Sequence, residues 1–200
     1  MAVSRVKTSS VLQGFPKYRS MLGGNAAYAP PADYESISTV IVGAGGASSI
    51  TFTSIPSTYQ HLQVRFIARI STSDTAENTW LRFNADTGSN YTYHFLDGNG
   101  SSASAGAGTS QTRILAGRAG AANSGSNIFG TNVVDVLDYA NANKYKTARI
   151  LGGIDRNGDG NIRLDSGVWM NTAAVTSLTI MPTTGNNFVQ YSHFALYGVK

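Results

Sequence analysis

Short runs of alternating apolar and polar residues dominate the chain from Ser36 onwards. The runs are rich in Val, Ile, Thr, Phe and Tyr, and clusters of Gly, Asn, Asp and Ser separate them. Such alternation indicates half-buried antiparallel strands, because successive side chains of a strand point to opposite faces. The clearest run places on one face Leu62, Val64, Phe66 and Ala68, and on the other Gln63, Arg65, Ile67 and Arg69.

The pattern predicts about ten strands and no helix, because no segment of ten or more residues keeps a helical apolar stripe. Many short strands with frequent turn signals are typical of a sandwich. We therefore expect an all-β fold, an antiparallel β-sandwich of jelly-roll type over residues 36–200. The predicted strands are 37–42, 49–54, 62–70, 79–84, 91–96, 112–115, 128–137, 147–154, 161–170, 175–181 and 188–197.

Two stretches of low complexity interrupt the strands. Residues 98–110 are mainly Gly, Ser and Ala, and residues 116–127 are similar. We interpret both as long loops at the tips of the sandwich, where binding sites are often carried. The first has no aromatic or charged side chain able to anchor a partner, which favours a flexible excursion. Gly43-Ala44-Gly45-Gly46 lies between two predicted strands and is interpreted as a hairpin.

Residues 1–35 have no sustained period, and Phe15-Pro16 and Pro30-Pro31 oppose a long helix. We expect an extended arm that orders on another subunit, since it holds more large apolar residues than an inert linker. A disordered tail is the alternative. The candidate anchoring residues of the arm are Arg5, Lys7, Val11, Leu12, Phe15, Lys17, Tyr18, Arg19, Met21 and Leu22.

Charge is scarce and unevenly placed. Only 13% of the residues are charged, against about 25% in a typical soluble domain. Of the 15 basic residues four precede Asp33, which leaves 11 basic against 11 acidic residues for the rest. A neutral body argues against nucleic-acid binding, and a surface poor in charge is tolerated when other subunits cover it. We therefore expect assembly, with the arm contacting a partner.

Several other classes of site are disfavoured. The chain has no Cys, no stretch near the ~18 apolar residues of a membrane span and no apolar signal core. We expect no membrane partner, no cofactor and synthesis in the cytoplasm.

No motif brings His61, His94 or His193 near an acid, and Asp135 and Asp138 lie where a strand gives way to a turn. We expect no enzymatic activity.

The strongest metal-like motif is residues 155–161. Asp155, Asn157 and Asp159 place oxygen side chains at alternate positions before Gly160, as in the first half of a calcium loop. The second half departs from that pattern, because Arg163 and Ser166 stand where ligands are needed. Asn-Gly and Asp-Gly also favour a hairpin turn, the preferred interpretation, with bound calcium as the alternative.

Aromatic residues within the predicted strands have two interpretations. Sugar-binding sandwiches use exposed Tyr and Trp as stacking platforms, but an aromatic residue in a strand is more often core. The core interpretation is preferred for Trp80, Tyr91, Tyr93, Trp169, Phe188, Tyr191, Phe194 and Tyr197.

Six segments follow one another along the chain: 34–37, IPSTYQHL at 55–62, FNADTGSNY at 83–91, DVLDYANANKYK at 135–146, 166–169 and FVQYSHFALYG at 188–198. In their order and spacing they resemble a family of small virion proteins of tailed phages that infect aquatic bacteria, including cyanophages. The resemblance runs from about Tyr34 to the end of the chain. It implies a jelly-roll-like body that oligomerises in the particle, with no catalytic motif.

From the resemblance and the charge pattern we expect a non-enzymatic bacteriophage virion protein, made in the host cytoplasm and forming a homotrimer. The preferred form is a short tail or neck fibre anchored to other virion proteins through residues 1–33. The alternatives are a capsid decoration (cement) protein on the head, a module binding host surface glycans and, least favoured, an enzyme that degrades surface polysaccharide.

Overall fold

The computed structural model describes residues 33–183 and 185–200. The predicted anchoring residues from Arg5 to Leu22 lie outside this part of the chain. The twelve elements described are all strands: β1 (Tyr34–Ile41), β2 (Ile50–Phe52), β3 (His61–Ala68), β4 (Ala76–Phe83), β5 (Tyr91–Gly98), β6 (Ala103–Gln111), β7 (Ile114–Gly120), β8 (Gly130–Leu137), β9 (Lys146–Asp155), β10 (Gly160–Trp169), β11 (Leu178–Met181) and β12 (His193–Val199).

The strands form two sheets that pack as a sandwich. The larger sheet has the order β1-β12-β3-β8-β9-β10-β5-β6, and the smaller has the order β2-β11-β4-β7. Every neighbouring pair is antiparallel. The predicted all-β antiparallel sandwich is therefore confirmed, while its jelly-roll connectivity stays a prediction.

The core lies between the inner faces of the two sheets. In β3 the side chains of Leu62, Val64 and Phe66 point inward and are buried, as their alternation predicts. The Phe66 ring stacks on Phe194 of β12 at a centroid distance of 5.1 Å, and Phe188 meets Phe194 edge-on at 4.8 Å. Aromatic pairs of this geometry stabilise a core beyond the area that they bury.

A second aromatic cluster closes the other end of the core. The buried ring of Trp169 in β10 stacks on Tyr91 and packs against Phe83. Its Nε1 donates a hydrogen bond of 2.7 Å to the Asp86 carboxylate. The predicted core role is confirmed for Tyr91, Trp169, Phe188 and Phe194, and Tyr93 packs against the same core. It is wrong for Tyr191, which is 71% exposed, and for Tyr197, whose ring lies on the outer face beside Arg65. Trp80 is only half-buried.

Residues 98–110, predicted as a loop, contain the edge strand β6 and pair with β5. Here the loop prediction is wrong. A Cβ on Gly106 would lie 2.7 Å from the Phe95 ring, and one on Gly108 would lie 2.7 Å from the Tyr93 ring. The glycines that suggested flexibility therefore leave room for aromatic rings of the neighbouring strand, which supply the packing that β6 lacks.

The second predicted loop, 116–127, is also partly wrong, because β7 continues to Gly120. Asn132, buried in β8, reaches across the sandwich to this segment. Its Nδ2 donates to the Arg118 carbonyl at 2.7 Å, and its Oδ1 accepts from the Arg118 N–H at 3.1 Å. A side chain distant in sequence thus satisfies the backbone here, and local composition carries no signal of it.

One connection and one boundary differ from the prediction. Residues 43–46 form a turn with a bond of 3.0 Å from the Gly46 N–H to the Gly43 carbonyl, but β1 and β2 belong to different sheets, so the predicted hairpin is wrong. The larger sheet starts at Tyr34, two residues before the predicted start of the body. Tyr34 and Glu35 therefore belong to strand β1, where they pair with Val199 and Gly198.

Candidate functional site

Strand β10 carries an inverted pattern of side chains. Ile162 and Leu164 point away from the core and are 70% and 52% exposed, whereas Arg163 and Asp165 point inward and are buried. A sheet with one covered face normally buries its apolar residues and exposes its charged ones. The inversion therefore leaves apolar side chains on the outer face of the larger sheet and charged groups inside the sandwich.

The neighbouring strands extend the apolar surface. The register pairs Leu164 with Leu151 of β9 and with Leu96 of β5, and it pairs Leu151 with Val133 of β8. Leu96 and Leu151 are 54% and 57% exposed. We define the apolar strip by the outward side chains that these strands and β3 contribute: Ile67, Leu96, Val133, Leu151, Ile162 and Leu164.

Four residues of the apolar strip, Ile67, Val133, Leu151 and Ile162, line a concave groove of about 1070 Å³ on the outer face. The loop at 98–100 and the turn at 155–160 form one side of the groove, and His193, Ala195 and Tyr197 of β12 contribute to the opposite side. Gly153 lies in its floor, in register with the outward-facing Ile162, and its lack of a side chain keeps the surface hollow. The groove therefore offers a shaped apolar surface to a partner.

Charged residues at the margin of the strip are held by neighbours on the same face. The Arg65 guanidinium lies 5.5 Å from the Tyr34 ring centroid and 5.4 Å from that of Tyr197. Its Nε donates to Gln63 Oε1 at 2.5 Å, and Gln63 Nε2 donates to Asp135 at 2.7 Å. These contacts keep the charges at the margin, so the centre of the groove is apolar.

The inward charges of β10 form a buried network. Arg163 Nε donates to Asp165 Oδ1 at 2.7 Å, and the Arg163 guanidinium lies 4.0 Å from the Phe95 ring centroid. Asp97 Oδ2 is 3.8 Å from Arg163 Nη1 and 3.9 Å from Arg118 Nη1. Burial raises the pKa of Asp165, and the adjacent Arg163 charge opposes that rise. Removing either residue of the Arg163–Asp165 pair would leave the other without its direct hydrogen-bond partner inside the sandwich.

The calcium-like motif forms the turn between β9 and β10. Asn157 and Gly158 have φ of 62° and 101°, and the Arg156 N–H donates to the Asp159 carbonyl at 2.6 Å. Asp155 Oδ1 accepts the Asn157 N–H at 2.8 Å, and Asp159 pairs with the Arg156 guanidinium. The segment is therefore a hairpin turn, as its Asn-Gly and Asp-Gly predict, and calcium binding stays an untested alternative. Within the described residues no group of three or more His, Asp or Glu side chains could hold a metal ion.

The histidines stay apart, on three different strands. His61 starts β3, His94 lies in β5 and His193 starts β12. The His61 Nδ1 accepts the N–H of Asp138 at 3.0 Å, and Lys144 lowers the pKa of the Asp138 carboxyl through a hydrogen bond of 2.6 Å. Asp135 bonds Gln63 instead. The structure thus gives Asp135 and Asp138 separate partners, consistent with structural roles.

The apolar strip is the functional feature that sequence reasoning missed. Alternation of Ile162, Arg163, Leu164 and Asp165 predicts a strand but does not say which face meets the core. The one signal in the sequence that Arg163 points inward is Asp97, because its carboxylate on the adjacent strand can face the Arg163 guanidinium.

Comparison with known proteins returned no match among family models, curated proteins or solved structures. In residues 33–183 and 185–200, no helix has the length and apolar character needed to cross a membrane.

Proposed function

We propose that this chain is a non-enzymatic structural subunit of a bacteriophage particle and that it assembles with copies of itself through the apolar strip. The observation that carries the proposal is the exposure of large apolar side chains at the centre of a sheet, with Leu151 and Leu164 opposite each other. A contiguous patch of this kind is characteristic of protein interaction sites. The resemblance of residues 34–198 to phage virion proteins supplies the biological setting.

The energetics favour covering the apolar strip. Full burial of one Leu or Ile side chain contributes about 1.5–3 kcal/mol, and the strip offers six apolar side chains on each subunit. Arg65 and Asp135 put both signs of charge on the same face, which allows complementary contacts between copies of the chain. An apolar centre with a polar margin is the usual composition of a homo-oligomer interface.

A homotrimer fits the preferred role as a short tail or neck fibre of the virion. In this proposal residues 1–33, with four basic and no acidic residues before Asp33, anchor the subunit to other virion proteins. The body requires only partners and no cofactor. A capsid decoration protein on the head is the alternative. It would use the same apolar strip and the same residues 1–33, but on the head instead of the tail or neck.

Copy number in purified particles separates the two positions. Particles of a phage that encodes this chain are purified, and quantitative mass spectrometry compares this protein with the major capsid protein. A fibre or neck appendage predicts tens of copies for each particle, while decoration predicts hundreds. Absence of the protein from purified particles would contradict the proposed function.

Deletion of residues 1–30 tests the anchor separately, because Tyr34–Lys200 is a compact unit by its own contacts. The truncated protein is expected to keep the oligomeric state of the full chain and to be missing from particles. Incorporation at the normal level would show that another surface makes the attachment.

A further inference from the structure

A second concavity lies between the β5–β6 hairpin and strands β4 and β7. It has a volume of about 270 Å³. Its wall differs in character from the apolar strip, because aromatic rings and hydrogen-bonding groups line it together. The lining residues are Asn78, Trp80, Tyr93, Phe95, Asp97, Ser104, Leu115, Arg118 and Arg163. We call this concavity the mixed cleft.

The polar groups of the mixed cleft alternate between donors and acceptors at loose distances. Asp97 Oδ2 lies 3.9 Å from Arg118 Nη1 and 3.8 Å from Arg163 Nη1. Asn78 Oδ1 accepts from the same two arginines at 3.4 and 3.3 Å. The separations from Asp97 exceed a direct hydrogen bond, so a group between them that both donates and accepts would improve the network.

Two buried donors at the mixed cleft have no acceptor among the described residues. They are Arg163 Nη2 and Trp80 Nε1. Arg163 as a whole is almost wholly buried. A buried donor without an acceptor costs about 1–3 kcal/mol.

The aromatic side of the cleft is held rigidly. Trp80 and Tyr93 meet edge-on at a centroid distance of 6.0 Å, and Arg113 covers Trp80 at 4.3 Å. The Tyr93 and Phe95 rings are seated over Gly108 and Gly106 of β6. Side chains held in this way lose little entropy when a ligand binds.

We infer that the mixed cleft binds one unit of a saccharide. Neighbouring hydroxyls of a sugar both donate and accept, which matches the alternation of Asp97 and Asn78 with two arginines. The apolar C–H groups of the sugar ring match the aromatic wall. Asp97 faces the same space as the arginines, so the lining favours hydroxyls over a free anion. This inference does not depend on assembly through the apolar strip.

The test uses the full chain and a set of defined probes. Glucose, galactose, mannose and N-acetylglucosamine are titrated individually, with saturation-transfer NMR as the readout. Inorganic phosphate and acetate serve as anion probes. We expect at least one neutral sugar to bind with a dissociation constant at or below about 10 mM, typical of a small ligand held by few contacts.

Two variants locate the binding. Arg118→Gln and Asn78→Ala should each weaken binding of that sugar by about tenfold or more, while Arg149→Gln on the outer face should leave it unchanged. Circular dichroism checks that each variant is folded. If Arg118→Gln does not fold, Asn78→Ala still tests the inference. The inference is overturned if no neutral sugar binds, if only the anions bind, or if folded cleft variants bind like the wild type.

Discussion

Strands β3 and β10 lie in the same sheet and have opposite relations between sequence and face. In β3 the apolar Leu62 and Val64 point to the core and Arg65 points outward. In β10 the charged Arg163 and Asp165 point to the core and Leu164 points outward. The difference teaches that a period of two predicts a strand, whereas the surroundings of the strand decide which face is buried.

The inverted pattern of β10 is stable because its inward charged side chains and its outward apolar side chains both have suitable neighbours. On the inner side Asp97 and the Phe95 ring contact Arg163. On the outer side Leu151 and Leu96 flank Leu164 in register. The outward side chains of β10 lack a cover within the described residues, which is why we propose that they form an interface between subunits.

The largest expected effect comes from breaking the buried charge pair of β10. Asp165→Ala removes the hydrogen-bond acceptor of the buried Arg163 Nε, which a protonated Asp165 would still supply, and it leaves a cavity beside Arg163. It should lower the free energy of unfolding by about 3–5 kcal/mol. The double variant Arg163→Met with Asp165→Leu removes both charges and should lose less than about 1 kcal/mol. Urea denaturation measures both. Equal losses of free energy of unfolding in the single and the double variant would contradict the stabilising role of the charge pair.

A leucine from each strand gives the next largest contrast. Leu62→Ala in β3 creates a cavity in the core and should cost about 2–4 kcal/mol. Leu164→Ala in β10 should change stability by less than about 0.5 kcal/mol at protein concentrations where the chain is monomeric, because its side chain already meets water. Thermal and urea unfolding of dilute protein measure the difference. A large loss for dilute Leu164→Ala would mean that this side chain already packs within the monomer.

Asp165 of β10 and Asp86, which accepts a hydrogen bond from Trp169 of the same strand, give a contrast in pH dependence. Hydrogen bonds from Asn90, Trp169 and the Gly88 N–H lower the pKa of Asp86 below 3.8, whereas burial raises that of Asp165 above it. The stabilisation from Asp86 is complete above pH 3.8 and is lost as pH falls through its folded pKa. The contribution of Asp165 has the opposite sign, because stability falls as pH rises through its raised pKa.

The substitution Asp86→Asn tests this assignment. At pH 7 it should lower the free energy of unfolding by about 1–2 kcal/mol, since the carboxylate accepts hydrogen bonds in the folded state. The deficit relative to the wild type should shrink as pH falls below 3.8. Urea titrations from pH 7 to acid pH follow it. A deficit that stays constant with pH would assign the loss to packing rather than to charge.

The smallest expected contrast between two variants lies in the turn that precedes β10. Asn157 has a positive φ, and Asn157→Ala should cost about 1 kcal/mol, while Asn157→Gly should cost less. Millimolar calcium should leave the melting temperature of the wild type unchanged. A calcium-dependent rise that Asp155→Ala abolishes would instead support the metal-binding alternative for this motif.

Local patterns in the sequence were sufficient for the sandwich and for the strands with ordinary alternation. They were not sufficient where distant residues decide the structure. The glycines of β6 look like a flexible loop until Phe95 and Tyr93 are placed over them. The segment around Arg118 is ordered by Asn132, which is 14 residues away. The apolar strip and the mixed cleft both depend on the face chosen by β10, which composition and spacing leave open.

Sedimentation equilibrium tests the central claim, assembly through the apolar strip, most directly. The wild type is compared with Leu151→Glu at the centre of the strip and with Thr51→Glu, an exposed position on the smaller sheet. The account predicts a trimer for the wild type and for Thr51→Glu at about 100 µM, and a folded monomer for Leu151→Glu, because a buried charge without a partner opposes association. A monomeric wild type, or a Leu151→Glu protein that still forms the trimer, would contradict it.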